Sequence, residues 1–142
     1  MNSFSLTILE ADSRFYEGQC VSLVVPAVDG NYGILAGHSN MITAIVPGEI
    51  RCKRNEEEDY EIYSVSSGLV KIEDGEVLIL ADSVERLSEI DINRARREAE
   101  DAMAVLNQKA GLREFIVART QLDRAINRVR IYDKYNSDGF DI

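Results

Sequence analysis

One stretch in the middle of the chain decides the fold class, and it reads Leu69-Val70-Lys71-Ile72-Glu73-Asp74-Gly75-Glu76-Val77-Leu78-Ile79-Leu80. Apolar residues, many of them β-branched, dominate on both sides of Asp74-Gly75. An Asp-Gly pair between two such runs is a strong signal for a two-residue turn. The stretch therefore predicts two antiparallel strands joined by a tight hairpin.

The same kind of pattern continues toward the N-terminus. Turn residues interrupt it at short intervals, at Gly18, Asp29-Gly30, Gly37, Pro47-Gly48 and Ser67-Gly68. Between them apolar residues alternate with polar ones, in the sets Phe4, Leu6, Ile8; Ile50, Cys52; and Val77, Ile79, Ala81. Alternation at a period of two places each set on one side of a strand. Residues 1–84 are therefore predicted to form an antiparallel β-domain, a sandwich or a barrel, and we take the β-sandwich as the prediction.

The periodicity becomes helical after residue 84. Apolar residues recur at spacings of three and four in two runs, Ala95, Ala99, Ala102, Met103, Leu106 and then Phe115, Ala118, Leu122, Ala125, Val129. Ser88 is the predicted N-cap of the first helix. These runs predict helices at about 90–107 and 112–132 in a second domain, 85–142, whose tail from Asp133 is expected to fray. The fold class is thus a β-sandwich followed by an antiparallel two-helix hairpin.

The first helix has a seam made mostly of alanine. Alanine lets helices approach closely but buries about a third of the apolar surface that leucine buries. We therefore expect a weakly docked hairpin that can move.

Charge excludes one class of partner. The 142 residues carry a net charge of −9, and all of this excess lies in residues 1–84, which have 5 basic and 14 acidic side chains. Such a surface repels a phosphate backbone, so nucleic acid is not an expected partner. No apolar run approaches the ~20 residues of a membrane-spanning helix. The two cysteines, Cys20 and Cys52, are expected to be buried, reduced thiols.

Catalytic and metal-binding patterns are missing from the sequence. No phosphate-binding glycine loop, nucleophile elbow or metalloprotease helix occurs, and no cluster of metal ligands is present. The single histidine, His38, has no serine, cysteine or carboxylate partner in its local sequence. We therefore predict no catalytic residue and no metal, and assign His38 to a turn or an interface.

Two arginines on the second helix are candidates for anion binding. Arg124 and Arg128 lie four residues apart, roughly opposite the apolar seam, where two guanidinium groups could bind a polyphosphate or remain solvated. On the first helix, Asp91 and Arg94 could form an ordinary pair at a helix start. Spacing alone leaves both alternatives open.

Several segments together resemble a known family. They are Pro26-Ala27-Val28-Asp29-Gly30-Asn31-Tyr32-Gly33-Ile34-Leu35-Ala36-Gly37-His38, Thr43-Ala44-Ile45-Val46-Pro47-Gly48-Glu49-Ile50, Leu80-Ala81-Asp82 and Ile90-Asp91-Ile92-Asn93-Arg94-Ala95. In sequence and order they resemble the bacterial epsilon subunit of F-type ATP synthase, and the similarity extends from Phe4 to Tyr132.

The resemblance implies a non-catalytic rotor subunit of the central stalk, which couples the catalytic head to the membrane ring during ion-gradient-driven ATP synthesis. Its implied partners are the gamma subunit, the ring of c subunits and, for an extended hairpin that inhibits ATP hydrolysis, the alpha and beta subunits. Asn31 and Tyr32 are then expected near the ring, and His38 and Thr43 near gamma. The implied location is peripheral, on the cytoplasmic face of the bacterial plasma membrane.

The resemblance also implies a regulatory ATP site, although no catalytic cofactor. Ile90, Asp91, Arg94 and Ala95 match the Ile/Leu-Asp-x-x-Arg-Ala motif of nucleotide-binding epsilon subunits. Further expected ligand contacts are Glu85, Arg124 and Arg128. Asp101 departs from the pattern, because binding members can carry a base there and an acid weakens the attraction for phosphate.

A second class of function remains as the alternative. A free-standing β-sandwich that binds a ligand and oligomerises through a helical tail would have similar composition. The two readings differ in whether the chain co-purifies with gamma and the ring.

Overall fold

The computed structural model describes residues 2–11, 13–108 and 111–137, and the chain divides into two compact units after Arg86. The described part of the first unit contains ten strands. They are β1 (Phe4–Glu10), β2 (Ser13–Cys20), β3 (Ser22–Ala27), β4 (Gly30–Ile34), β5 (Met41–Ile45), β6 (Gly48–Lys53), β7 (Glu61–Val65), β8 (Gly68–Glu73), β9 (Glu76–Ala81) and β10 (Val84–Arg86).

The strands form one continuous hydrogen-bonded path that folds over into a sandwich. Its order is β10-β7-β6-β3-β5-β8-β9-β1-β2, with β4 paired to β3. A single residue pair, Ala27 with Ile45, joins β3 to β5. Phe15 of β2 packs edge-on against Tyr63 of β7 with ring centroids 5.0 Å apart, so strands far apart on the path meet in the interior.

One pairing differs from the all-antiparallel expectation. β1 runs parallel to β9, with Leu6 opposite Val77 and Ile8 opposite Ile79. Parallel neighbours require a long connection, and here it consists of the intervening strands. The sandwich prediction is otherwise confirmed.

The predicted β8–β9 hairpin is present, with Glu73 opposite Glu76. Asp74 and Gly75 both have positive φ angles, 51° and 83°, as a type I′ turn requires. The Asn40 side-chain oxygen accepts a hydrogen bond from the backbone amide of Asp74 at 2.9 Å. At the other end of β8, a Cβ on Gly68 would lie 2.0 Å from the Leu80 carbonyl oxygen, so only glycine fits there.

The alternating sets form the core as predicted. Phe4, Leu6, Ile8, Ile50, Cys52, Val77, Ile79 and Ala81 are all buried. Both cysteines are free and fully buried, and the structure brings their sulfur atoms to 3.6 Å from each other. The sequence could not predict this proximity, because the two cysteines are 32 positions apart.

The boundary between the units lies after Arg86 rather than after residue 84. β10 pairs with β7, with Val84 opposite Val65 and Arg86 opposite Tyr63, and Val84 is buried. Glu85 and Arg86, which were predicted to belong to the helical domain, are therefore part of the sheet.

The second unit contains a short 3₁₀ turn, Leu87–Glu89, followed by α1 (Ile92–Leu106) and α2 (Leu112–Ser137). The two helices are antiparallel, because Arg96 near the start of α1 pairs with Asp133 near the end of α2 at 3.1 Å. Both helices were predicted, but α1 begins two residues later than expected. Its N-cap is Asp91, and the predicted cap Ser88 lies in the 3₁₀ turn.

The second helix ends later than the predicted end at 132, and the fraying of the tail stays a prediction. α2 continues through Ser137, held by the Asp133 ion pair, and Lys134 in its last turn complements the helix dipole. Residues 138–142 lie outside the described part of the chain.

The predicted seams are only partly buried. Ala95, Ala102, Ala118, Leu122 and Ala125 are buried, as is Ile131, which the periodicity did not single out. Met103 and Phe115, in contrast, are exposed.

Within residues 2–11, 13–108 and 111–137, no helix combines the length and apolar character needed to cross a bilayer.

Candidate functional site

The start of α1 uses the motif residues for structure. The Asp91 side chain accepts a hydrogen bond from the Arg94 amide at 3.1 Å, and its carbonyl accepts one from the Ala95 amide at 2.9 Å. An Asp at this position satisfies amides that have no partner within the helix. Ile90 and Ala95 are buried on either side of this cap. The motif thus fixes where α1 begins and the direction in which Arg94 leaves it.

Two of the predicted arginines converge on one carboxylate. Arg94 donates from Nε to Oε1 of Glu98 at 2.9 Å, and Arg128 donates from Nη1 to Oε2 of the same residue at 3.0 Å. Arg94 lies one turn from Glu98 on α1, whereas Arg128 comes from α2. Glu98 therefore joins the two helices through one carboxylate.

Arg124 lies one turn before Arg128 on α2 and differs from it in its contacts. Its Nε is buried and has no hydrogen-bond partner within the described residues. A buried, unpaired guanidinium nitrogen is costly. Arg124 therefore carries one buried donor whose hydrogen bond the described residues do not supply.

Arg124 and Arg128 line a cavity of about 300 Å³ between α1 and α2. Glu98, Asp101 and Gln121 complete the lining. The two arginines and two carboxylates leave the lining formally neutral. The cavity is polar and large enough for part of a phosphorylated ligand, and the acid noted at position 101 belongs to its wall.

The structure brings together only part of the predicted ATP set. Arg124 and Arg128 line the cavity, and Arg94 reaches it through Glu98. Glu85 lies in β10, opposite Ser64, and belongs to the first unit. Glu98 and Gln121 were not among the site residues predicted from the sequence. The four-residue spacing of Arg94 and Glu98 could have indicated an ion pair, whereas nothing in the sequence pointed to Gln121.

The residues expected at partner interfaces occupy different environments. Asn31 is exposed on β4, and Tyr32 is half-buried against the core, with its hydroxyl donating to Asp29 at 3.4 Å. His38 is half-buried in a turn, and its Nδ1 lies 2.8 Å from the Ser39 carbonyl. Since a carbonyl only accepts, Nδ1 carries the proton.

Thr43 points the other way from the exposed residues of its strand. It shares the inward side of β5 with Met41 and Ile45 and is half-buried. Ile42 beside it is 66% exposed.

Ile42 belongs to a wider apolar surface on the outside of the sandwich. On neighbouring strands, Ala44 lies opposite Leu69 and Leu69 opposite Leu80, and these two leucines are 46% and 44% exposed. We call Ile42, Ala44, Leu69 and Leu80 the outer apolar surface. Apolar side chains grouped in this way commonly mark a site of protein interaction.

The described residues contain no group of three or more histidine, cysteine or carboxylate side chains that could hold a metal ion.

Comparisons with known proteins cover both units. Residues 3–87 match the family described as ATP synthase, Delta/Epsilon chain, beta-sandwich domain. Residues 88–133 match the family described as ATP synthase, Delta/Epsilon chain, long alpha-helix domain. The fold and these two matches together define a subunit of the delta/epsilon class.

Full-length relatives narrow this class. The chain is 33% identical over 135 residues to the ATP synthase epsilon chain of Ruminococcus albus, covering 94% of this chain and 99% of the relative. Its identity to that of Caldicellulosiruptor saccharolyticus is 35% over 139 residues, covering 97% and 100%. The chain belongs to the ATP synthase epsilon-chain family, whose members are non-catalytic stalk subunits rather than enzymes by themselves.

A solved structure agrees in fold. A chain of the Euglena gracilis mitochondrial ATP synthase, described as OSCP/F1/c-ring in rotational state 1, superposes with a TM-score of 0.74 at 23% identity. The superposition covers 88% of this chain and 78% of that one. Family membership also decides against the alternative of a free-standing ligand-binding protein.

Proposed function

We propose that this chain couples the catalytic head of an ATP synthase to its membrane ring. In this proposal the sandwich binds gamma and the ring, and the hairpin restrains ATP hydrolysis and senses ATP. The observation that carries it is that the whole chain, both units included, matches two full-length epsilon chains. Its identity to them is 33% and 35%. The proposed location is peripheral, on the cytoplasmic face of the bacterial plasma membrane.

The outer apolar surface supports gamma binding. It includes Ile42 and Ala44 of the strand that carries Thr43, which the family resemblance assigns to gamma, and Ile42 extends from that strand into solvent. Since Thr43 points inward, Ile42 and Ala44 are the better candidates for direct contact. Asn31, on the β3–β4 hairpin, is proposed to approach the ring together with Val28, which is 81% exposed.

Replacing Ile42 tests the gamma surface. Ile42→Asp should weaken capture of purified gamma by the full chain by about tenfold, because it places a charge within an apolar contact. Val28→Asp is the matched control, since it adds the same charge to an even more exposed apolar position outside the surface. Equal gamma binding by the two variants would rule out this surface.

The cavity between α1 and α2 supports ATP binding. Its arginines are suited to phosphate oxygens, since a guanidinium group offers several donors in a fixed plane. Arg124 contributes a buried Nε with no partner among the described residues, and a rotation of this side chain toward the cavity would offer that donor to a phosphate without breaking an existing hydrogen bond. In this proposal Arg124 and Arg128 hold the phosphates and Asp91 orients the start of α1.

Calorimetry on the full chain with millimolar ATP tests the site. Arg124→Ala should weaken ATP binding by about ten- to a hundredfold, the range for losing a charge-assisted hydrogen bond. Arg113→Ala removes an exposed arginine near the start of the same helix and should leave binding unchanged. If the unaltered chain gives neither binding heat nor a rise in melting temperature, the proposal of ATP sensing is wrong.

A further inference from the structure

Glu98 already occupies the position where two arginines would receive an anionic ligand. Its Oε1 accepts from Arg94 and its Oε2 accepts from Arg128, at 2.9 and 3.0 Å. Both oxygens of the carboxylate are therefore engaged, one toward each helix. This arrangement resembles a bound anion, except that the anion is part of the protein.

The neighbouring groups distinguish Glu98 from other acids of the cavity. Asp101 lines the same cavity but forms no ion pair within the described part of the chain. Arg124, in contrast, has a buried Nε with no hydrogen-bond partner among the described residues. Of the three predicted arginines, two thus share one carboxylate, and the third has no ion pair among the described residues.

We propose that Glu98 is an internal counter-ion that competes with ATP for Arg94 and Arg128 and thereby sets the affinity of the site. This inference rests on the proposed ATP binding. A phosphate group that binds these arginines must displace the carboxylate or approach it against like-charge repulsion. Because partly exposed ion pairs are individually weak, a ligand with several phosphate charges can displace both.

The proposal predicts opposite effects on stability and affinity. Without ligand, Glu98 ties α1 to α2 through Arg128, so removing its charge should loosen the hairpin. With the carboxylate neutralised, neither arginine keeps its ion pair with Glu98, so ATP should bind more tightly. A residue with a purely structural role would lower stability and affinity together.

The test compares Glu98→Gln with Glu100→Gln in the full chain. Both variants remove one negative charge from α1, but Glu100 is exposed and does not line this cavity. Calorimetry with ATP measures affinity, and thermal unfolding followed by circular dichroism measures stability. We expect Glu98→Gln to bind ATP about tenfold more tightly, a change of about 1.4 kcal/mol, and to melt at a lower temperature without ligand.

The outcomes separate this inference from the proposed function. ATP binding by Glu98→Gln that is tighter than that of the unaltered chain and of Glu100→Gln supports the counter-ion. If the unaltered chain binds ATP and Glu98→Gln binds equally or more weakly, the counter-ion is wrong while ATP sensing stands. If none of the three proteins binds millimolar ATP, both proposals are overturned.

Discussion

Tyr63 brings a phenol into the core of the sandwich. Its side chain is fully buried, and its hydroxyl has no hydrogen-bond partner among the described residues. Burial, and then the neighbouring Cys52 thiol, raise the pKa of Tyr63. Burial likewise raises the pKa of Tyr16, to about 12, and the Cys52 and Cys20 thiols act in the same direction. Folding therefore keeps both phenols protonated above their ordinary range.

These shifts predict a loss of stability in alkali. Above pH 10 the unfolded chain releases phenol protons that the folded chain retains, so the free energy of unfolding should fall as pH rises from 10 toward 12. Tyr63→Phe should make this fall shallower. At pH 7 the same change should alter stability by less than about 1 kcal/mol, since it removes no well-formed hydrogen bond.

Urea unfolding of the unaltered chain and of Tyr63→Phe across this pH range measures the difference. If the free energy of unfolding falls equally steeply with pH in the two proteins, the raised pKa of Tyr63 is contradicted.

Asp91, at the start of α1, has one observed role and one proposed role. Asp91 caps the helix with its side-chain oxygen, and the family resemblance also assigns it to the ATP site. Ser88 is an equally good cap by residue type, but the chain forms a 3₁₀ turn there and the helix starts later. The cap and the proposed ligand role can be separated by substitution.

Asp91→Ala should destabilise the hairpin by about 1 kcal/mol, because the Arg94 amide loses its acceptor. Asp91→Ser should retain most of this stability, since serine caps comparably well. Hydrogen exchange of the α1 amides measures the effect directly. Equal protection in the alanine variant and the unaltered chain would mean that the cap contributes nothing.

Across the whole molecule, the two units differ in how they are stabilised. The sandwich has a continuous core of branched apolar side chains, whereas the hairpin buries mainly alanines and is joined by ion pairs such as Arg96–Asp133 and Glu98–Arg128. Small seams bury little apolar area, so the hairpin is expected to open more readily than the sandwich. This difference is what a movable regulatory element requires.

Ending the chain after Arg86 tests the regulatory role in the assembled enzyme. The shortened subunit keeps every strand of the sandwich, including β10, and should still assemble. We expect the assembled enzyme to hydrolyse ATP several-fold faster than the enzyme with the full chain, because the hairpin that is proposed to restrain hydrolysis is absent. Equal hydrolysis across several membrane and nucleotide conditions, with assembly intact, would exclude inhibition by this hairpin.

The buried positions of the sandwich could be predicted from the sequence more completely than the outward-facing positions of its strands. In Met41–Ile45 apolar residues occupy both parities, so alternation did not reveal that Thr43 points inward and Ile42 outward. At the cavity, the spacing of Arg124 and Arg128 was sufficient to predict a shared helix face. It could not predict that Glu98 would neutralise one of them.

The order of strands and helices, the Asp74-Gly75 turn and the buried alternating sets follow from sequence alone, since turn chemistry and side-chain periodicity act over a few neighbouring residues. The parallel β1–β9 pairing, the 3.6 Å approach of Cys20 to Cys52 and the shared Glu98 carboxylate came only from the folded chain. Each joins residues at least 30 positions apart. Which distant residues meet depends on how whole elements pack, and local sequence does not specify that choice.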